Sequence, residues 1–322
     1  MDVLIIGGTR FVGALLTWRL LAAGHRVTLF NRGTTSDPFG DRVRRIRGDR
    51  TRDRLPDRAF DAAVDLAAFR GEDARQALQL RVGHYVFVSS GQVYLVRENP
   101  PTVAREEDYE GSLSARPSAP EHAAVWDYGI GKRACEDVFA ASNFPSTRIR
   151  IPMVNGERDP YRRIESYLWR ILDGGPVILP NAGGHAARHV YGGTVAELIV
   201  GILGDRSAVG KAYNLAQEES PTLAELLRVL CELLGAEPRF VSASAAFLDK
   251  QGLSSRQISP FSTYWMSCLD PELATRELGF RHPPLREYLG RIVASFLAHP
   301  PAQPPENYAA RRLEVESAER LS

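Results

Sequence analysis

The chain has 322 residues, and its 40 basic and 39 acidic residues leave a formal net charge of +1. This balance gives no general electrostatic reason to bind nucleic acid or a membrane surface, although residues 42–58 are locally rich in arginine. No apolar run reaches the ~18 residues of a membrane span, and no basic segment precedes the first apolar run, so we expect a cytoplasmic protein without a signal peptide. The three cysteines show no metal-ligand spacing, so we expect free thiols and no bound metal.

The first 33 residues have the pattern of a βαβ unit. Residues 3–6 form a short apolar run, the segment GGTRFVG follows at residues 7–13, and residues 14–23 have helical periodicity. A second strand is predicted at residues 27–30. Glycines in such a turn let backbone N–H groups approach a pyrophosphate, and the helix N-terminus attracts negative charge. The pattern is therefore the context of a dinucleotide-binding fingerprint.

Strands and helices continue to alternate along the first half of the chain. Further strands are predicted at residues 43–46, 62–66, 85–88 and 148–151, and helices at residues 73–81 and 128–141. This alternation predicts a Rossmann-type α/β fold, a doubly wound parallel sheet covered by helices on both faces.

The pattern is less regular after residue 151. Helices are predicted at residues 164–172, 195–203 and 223–234, with short strands near residues 177–179 and 213–215. We interpret this part as a small C-terminal α/β substrate-binding cap. The predicted domains are a Rossmann core at 1–155, to which later segments return, a region at 156–298 that is mainly cap, and a tail at 299–322. Within the tail, residues 300–305 resemble a linker and residues 308–321 an amphipathic or frayed helix.

Tyr128 and Lys132 are four residues apart, so they share one face of the predicted helix. An ammonium close to a phenol favours the phenolate, so Lys132 is expected to lower the pKa of Tyr128 and to suit it for proton transfer. The spacing alone is common on helix surfaces. However, only three of the 40 basic residues are lysines, which indicates that position 132 requires a compact point charge.

Together with the glycine turn and Ser89-Ser90, the Tyr-x-x-x-Lys pair makes residues 1–298 resemble the extended short-chain dehydrogenase/reductases, also called the NAD-dependent epimerase/dehydratase family. The chain most resembles the branch of the chloroplast stem-loop-binding proteins and their bacterial relatives. The resemblance implies that Ser90, Tyr128 and Lys132 are catalytic. It also implies a small-molecule substrate and, because family members often dimerise through the helix that carries the Tyr-Lys pair, a homodimer.

The same resemblance implies a set of cofactor contacts. They are Gly7, Thr9, Arg10, Phe11, Val12, Asn31, Arg32, Asp49, Leu66, Ala67, Ala68, Ser89, Pro152 and Val154. Two departures from the family pattern concern the adenosine ribose. Arg10 stands where most members have a glycine, and Asn31-Arg32 stands where NAD-preferring members have an acid. Because arginine matches phosphate geometry, NADP is predicted as the cofactor, with NAD as the alternative.

The resemblance implies substrate contacts by Gln92, Tyr94, Asn155 and Arg188. Dehydratases of the family have an Asp-Glu pair where this chain has Gly91-Gln92, and decarboxylases keep the Glu, so elimination and decarboxylation by those routes are not expected. A third departure, GGT at residues 192–194 in place of Val-Asp-Asp, leaves the substrate open. The two histidines at positions 185 and 189 have no acids at ligand spacing and are interpreted as loop residues.

These patterns predict an NAD(P)-dependent oxidoreductase or epimerase that acts on a hydroxyl or keto carbon of a sugar nucleotide or a secondary metabolite. Tyr128 would exchange the proton, Ser90 would stabilise the oxyanion, and Lys132 would hold the nicotinamide ribose. The alternative is a non-catalytic NAD(P)-binding or RNA-binding protein of the same fold. The three intact catalytic positions and the net charge argue against it.

Overall fold

The computed structural model describes residues 1–262 and 265–321. The strands are β1 (Asp2–Ile6), β2 (Arg26–Asn31), β3 (Val43–Arg47), β4 (Ala59–Asp65), β5 (Arg81–Ser90), β6 (Ser146–Ile151), β7 (Val154–Asn155), β8 (Val177–Pro180), β9 (Val190–Tyr191), β10 (Ala212–Asn214) and β11 (Phe240–Ala243). The α-helices are α1 (Phe11–Ala22), α2 (Gly71–Ala77), α3 (Gln92–Leu95), α4 (Pro120–Ala140), α5 (Arg163–Leu172), α6 (Gly192–Ile202), α7 (Leu223–Leu234), α8 (Ala245–Lys250), α9 (Ser255–Ile258), α10 (Glu272–Leu278), α11 (Leu285–Ala298) and α12 (Arg311–Glu319).

A seven-stranded sheet has the strand order β10-β6-β5-β4-β1-β2-β3. All of its strand pairs are parallel. The chain proceeds outward from β1 in one direction through β2 and β3, and then in the other direction from β4. The carboxyl ends of β1 and β4 meet where the direction changes, and open α/β sheets bind their ligands at such a point.

Strand β1 shows why this sheet has nearly continuous apolar strands. Val3 and Ile5 pack into a core that includes residues of α1 and α6, whereas Leu4 and Ile6 pack into a second core that includes residues of α2 and α4. Both faces of the strand are therefore buried by helices. This arrangement confirms the predicted Rossmann-type doubly wound α/β fold.

The chain divides into two compact units. The first consists of residues 1–154, 190–216 and 267–282, and the second of residues 155–189, 217–266 and 283–322. The seven-stranded sheet belongs to the first unit, and the parallel pair β8 and β11 belongs to the second. The domain boundaries expected from the sequence stay a prediction.

Two predicted helices differ most from the observed bounds. The helix predicted at residues 73–81 ends at Ala77, because Arg81 already begins β5. The helix predicted at residues 128–141 begins earlier, at Pro120, since proline fits the first turn of a helix, where its missing N–H is not needed. In the tail, α12 is packed rather than frayed, because one side of the helix is buried at Arg311, Glu314 and Ser317.

Candidate functional site

The turn between β1 and α1 is held close to the helix by its glycines. Gly7 and Gly8 have φ values of +99° and +86°, which favour glycine. A Cβ on Gly13 would lie 2.6 Å from the Cα of Gly8. Thr17 lies one turn further along α1, and its hydroxyl bonds the Gly13 carbonyl at 2.8 Å and the Gly8 carbonyl at 3.3 Å. The result is a tight turn at the N-terminus of α1, where backbone N–H groups are available to an anion.

A cleft of about 420 Å³ opens beside this turn, and all of its lining residues belong to the first unit. The lining includes the predicted cofactor residues Gly7, Thr9, Arg10, Asn31, Arg32, Asp49 and Ala67. It also includes residues that the sequence analysis missed, namely Thr34, Thr35, Arg50, Thr51, Phe69, Arg70 and Asp73. These lie just after β2, β3 and β4, so their position after successive parallel strands was the signal that could have found them.

The other predicted cofactor residues are not part of the cleft lining. They are Phe11, Val12, Leu66, Ala68, Ser89, Pro152 and Val154. Val12 and Ala68 are buried in the two cores of the sheet. The Ser89 hydroxyl donates to Glu136, a buried residue, at 2.5 Å. Contacts of these residues with a cofactor stay predictions.

Ser90 and Tyr128 come together at the carboxyl end of β5. Ser90 is the last residue of that strand, and its hydroxyl lies near the phenol of Tyr128, which is on α4. The backbone N–H of Gln92 donates to the Ser90 hydroxyl oxygen at 3.3 Å. A serine hydroxyl and a phenol that lie near each other can both donate to one substrate oxygen.

Lys132 lies one turn further along α4 and is 2% exposed. Its ammonium donates to the Val88 carbonyl at 2.8 Å and lies 4.8 Å from the ring centroids of Phe69 and Phe87. Burial lowers the pKa of Lys132 to about 8. The cation is therefore held by one carbonyl and two aromatic faces rather than by a carboxylate.

The expectation that Lys132 lowers the pKa of Tyr128 is wrong for this structure. Partial burial of the phenol raises the pKa of Tyr128, although the residue is 37% exposed, and the nearby Ser90 hydroxyl offsets part of the rise. The Lys132 ammonium lies 5.8 Å from the Tyr128 ring centroid and is directed to Val88. The four-residue spacing places Tyr128 and Lys132 on one face of α4. The hydrogen-bond partner of the ammonium, however, is set by strand β5, against which α4 packs.

Phe69 connects the cleft with the Tyr-Lys pair. Its ring lines the cleft, and the ring centroid lies 6.2 Å from that of Tyr128. The Phe69 carbonyl oxygen occupies the place that a side chain at position 131 would need, since a Cβ on Gly131 would lie 2.1 Å from it. Gly129 also permits a close approach, because a Cβ added there would lie 2.8 Å from the Gln92 carbonyl oxygen. The two glycines between Tyr128 and Lys132 thus let α4 lie close to the loops after β4 and β5.

A buried polar network lies beside the pair. Glu136 of α4 is bonded by the guanidinium of Arg150, and this guanidinium also donates to the hydroxyl of Tyr94 at 2.6 Å. The Tyr94 hydroxyl in turn donates to Asn214 at 2.8 Å. Tyr94 is 1% exposed, so its observed role is structural, and its contact with substrate stays a prediction.

Asn155 and Arg188, two of the predicted substrate contacts, belong to the second unit. The Asn155 amide N–H donates to Nδ1 of His189 at 2.8 Å, and both residues are fully buried. Arg188 donates to the Ser220 hydroxyl and to the Glu218 carbonyl. His189 lies outside regular secondary structure, but it packs against Phe261 with 4.4 Å between ring centroids, and burial lowers its pKa to about 3.

A comparison with protein families decides what kind of protein carries this site. The pattern of the NAD dependent epimerase/dehydratase family matches residues 3–216, which is more than half of the chain. The chain belongs to this family.

A comparison of sequences finds one plant relative. The chloroplast stem-loop binding protein of 41 kDa b from Arabidopsis thaliana is 26% identical over 261 residues, which are 74% of this chain and 65% of the plant protein. The chain therefore spans less than two thirds of the length of that relative.

Solved structures share the fold. UDP-glucuronic acid 4-epimerase from Bacillus cereus, in complex with UDP-glucuronic acid and NAD, has a TM-score of 0.70 at 17% identity, over 92% of this chain and 99% of that chain. dTDP-glucose 4,6-dehydratase from Bacillus anthracis, in complex with NAD, has a TM-score of 0.68 at 15% identity, over 93% of this chain and 97% of that chain. Across the described residues, no helix combines the length and the apolar character that a membrane crossing demands.

The residues that line the cleft of this epimerase/dehydratase family member could hold the adenosine and pyrophosphate end of a nicotinamide dinucleotide. The Arg10 side chain, at the cap position of α1, makes no capping hydrogen bond, so the first N–H groups of the helix remain for a pyrophosphate. Arg10 and Arg32 provide cations in the lining. Thr51 donates its hydroxyl and its backbone N–H to Asp49 and thereby lowers the pKa of that carboxyl, which is thus ionised and able to accept a hydrogen bond.

Proposed function

We propose that the protein is an NADP(H)-dependent oxidoreductase or epimerase that acts on a hydroxyl or keto carbon of a small molecule. The proximity of Ser90 and Tyr128 beside the buried Lys132 supports this proposal most strongly. Phe69 lies against both Tyr128 and Lys132 and also lines the cleft, so the proton-transfer group and the cofactor region are adjacent.

Tyr128 is the proposed general acid. When bound, the nicotinamide would supply or accept the hydride, and Tyr128 would transfer the proton to or from the same substrate's oxygen. The raised pKa keeps the phenol protonated near neutral pH, which suits donation of a proton to a carbonyl oxygen during reduction. Ser90 would donate to that oxygen as its negative charge develops, and Lys132 would bind the nicotinamide ribose.

The adenosine end supports NADP over NAD. Arg10 and Arg32 line the cleft, and Asn31 ends β2 where an acid would bind a ribose hydroxyl in an NAD-preferring protein. A guanidinium matches the geometry of a phosphate. The relatives named above that are solved with a cofactor contain NAD, so NAD remains the alternative.

A sugar nucleotide is the first substrate class to test, because the solved relatives act on such molecules by name. The second class is a ketone of secondary metabolism. The purified protein should be incubated with keto candidates and NADPH, and with hydroxyl candidates and NADP⁺, because epimerisation begins with oxidation of the hydroxyl carbon by the oxidised cofactor. Consumption of NADPH in equal amount to the alcohol product indicates a reductase, whereas an epimer formed from the hydroxyl substrate without net change in NADP⁺ indicates an epimerase. No turnover of either class would contradict the proposal.

RNA binding is the second candidate, because the plant relative is named for binding a stem-loop. Arg44 on the edge strand β3 is exposed, and edge cations of this kind can contact phosphates. Binding to a stem-loop RNA that weakens steeply as salt rises would favour this function. A homodimer and a cytoplasmic location stay predictions.

A further inference from the structure

Asn31, the last residue of β2, has one paired and one unpaired hydrogen-bonding group in its side chain. The Asn31 side-chain oxygen accepts from the backbone N–H of Gly33 at 2.9 Å and from the guanidinium of Arg47. Its Nδ2 is covered from solvent and has no hydrogen-bond partner among residues 1–262 and 265–321. Asn31 lines the cleft, so a ligand bound there is a candidate partner for this unsatisfied N–H group.

Two donors to one amide oxygen also determine which way the amide faces. If the oxygen and nitrogen were exchanged, the Asn31 nitrogen would face the N–H of Gly33 and the guanidinium of Arg47, which are donors that it cannot accept from. The side chain can therefore present only N–H groups to the cleft.

Arg47 is held in a position from which its guanidinium can donate to the Asn31 side-chain oxygen. It is the last residue of β3 and is paired with Asn31 in the parallel register. Beside it, Gly33 has a φ of +73°, and a Cβ there would lie 2.9 Å from Nε of Arg47. The turn after β2 thus leaves room for the guanidinium. Arg47 itself does not line the cleft, so any effect on a ligand passes mainly through Asn31.

The unpaired N–H group of Asn31 favours a phosphate over a hydroxyl on the adenosine ribose. An acid at the end of β2 accepts the protons of ribose hydroxyls in NAD-binding proteins. Asn31 has no free acceptor, so it offers nothing to the proton of a 2′-hydroxyl. A 2′-phosphate has only acceptor oxygens and matches an N–H group that stands near the cations Arg10 and Arg32.

We infer that Arg47 is a positioning residue that fixes Asn31 as a hydrogen-bond donor and thereby favours a dinucleotide with a phosphate on the adenosine ribose over one with a hydroxyl. This inference rests on the proposed binding of a nicotinamide cofactor in the cleft.

The test compares the dissociation constants of NADPH and NADH, measured by calorimetry. Arg47→Met keeps the aliphatic stem and removes the donor. It should weaken NADPH relative to NADH by about tenfold, the size of one charge-assisted hydrogen bond. Arg47→Lys, which retains a donor, should restore most of the preference. Arg44→Met is the matched control, because it removes the same charge from an exposed position on the same strand and should leave the ratio almost unchanged.

A double-mutant cycle separates action through Asn31 from the charge of Arg47 alone. If Arg47 acts through Asn31, then Asn31→Ala should change the ratio like Arg47→Met, and the double variant should add little to either. Additive effects, an unchanged ratio in Arg47→Met, or an equal change in Arg44→Met would each overturn the inference. A wild-type protein that prefers NADH contradicts the proposed cofactor, while the role of Arg47 is judged by the change in the ratio. Failure to bind either dinucleotide would overturn both.

Discussion

Lys132 is a buried cation whose charge state depends on its surroundings. Burial lowers its pKa to about 8, while Cys135, Asp65 and Glu136 act in the opposite direction and Arg50 in the same direction as burial. Its ammonium has one carbonyl acceptor at 2.8 Å, and the faces of Phe69 and Phe87 replace the contact that an acid would otherwise provide. The charged form is therefore lost as the pH rises through about 8.

This titration can be measured directly, because the chain has only three lysines. Protein labelled with carbon-13 at the lysine ε position should give three signals, and Lys132→Arg assigns one of them. That signal should titrate near pH 8. A midpoint at the ordinary lysine value of about 10.4 would contradict the proposed burial of the cation.

His189 should make the second unit sensitive to acid. Its pKa is lowered to about 3 by burial, and its ordinary value in an unfolded chain is about 6.5. The unfolded state therefore binds a proton at a higher pH than the folded state, so stability is full above about pH 6.5 and is lost as the pH falls toward 3.

The expected loss between about pH 6.5 and about pH 5 is roughly 2 kcal/mol in the free energy of unfolding. Urea unfolding of wild type and of His189→Gln at both pH values measures it. The slope with pH should be smaller in the variant, although His84, whose pKa burial also lowers, contributes in the same direction. Equal slopes in the two proteins would show that His189 is not the group responsible.

At the scale of elements, the position of α4 depends on glycine at position 131. An added methyl group would lie 2.1 Å from the Phe69 carbonyl oxygen, so the helix or the loop after β4 must move. We expect Gly131→Ala to destabilise the protein by about 1–3 kcal/mol. Because a shift of about 1 Å in a reacting group lowers a rate by about 100-fold, turnover should fall as well.

Gly201 provides the matched control in the same unit. It is a helical glycine in α6 whose Cβ would meet nothing within 4 Å. Gly201→Ala should stabilise the protein by up to about 1 kcal/mol, since alanine is the better helix former. Urea unfolding and turnover of NADPH compare the two variants. A Gly131→Ala protein that behaves like Gly201→Ala would rule out the close contact with Phe69.

Helix α12 is fixed within the second unit by a buried ion pair. Arg170 of α5 and Glu314 of α12 are 2.5 Å apart and almost fully buried. Glu314→Gln should cost roughly 3–5 kcal/mol, because it leaves the Arg170 charge without its partner. On the same helix, Glu316 faces the exposed Arg312 at 3.7 Å, so Glu316→Gln should cost no more than about 1 kcal/mol. Equal effects in chemical unfolding would contradict a structural role for the tail.

At the scale of the whole molecule, the sequence was most informative where the role of a residue depends on its neighbours in the chain. Thr222 and Glu225 have the spacing of a capping box, and in α7 Thr222 accepts from the N–H of Glu225 while the Glu225 carboxylate accepts in return. The parallel sheet was predictable since its strands are apolar on both faces. Helix ends and pKa shifts were not predictable, because they depend on contacts with residues that are distant in the chain.

Gly131 and Phe69 illustrate what the sequence could not provide. They are far apart in the chain, and nothing in either one indicates that the carbonyl of one fills the space left by the other. The same holds for Lys132, whose bond to Val88 follows from the packing of α4 on β5. The residues of the site could be named from the family pattern. Their hydrogen-bond partners could be identified only from the packing of the helices on the sheet.

The most direct test of the proposed chemistry is the rate at which Tyr128→Phe converts the substrate of the wild type, measured as formation of product. Removal of the general acid should lower the rate by about 10²–10⁴-fold, while the affinity for NADPH stays unchanged. Tyr161→Phe makes the same chemical change at a tyrosine that is 73% exposed and should keep full activity. A Tyr128→Phe protein that retains nearly the full wild-type rate would contradict the role of Tyr128 in proton transfer.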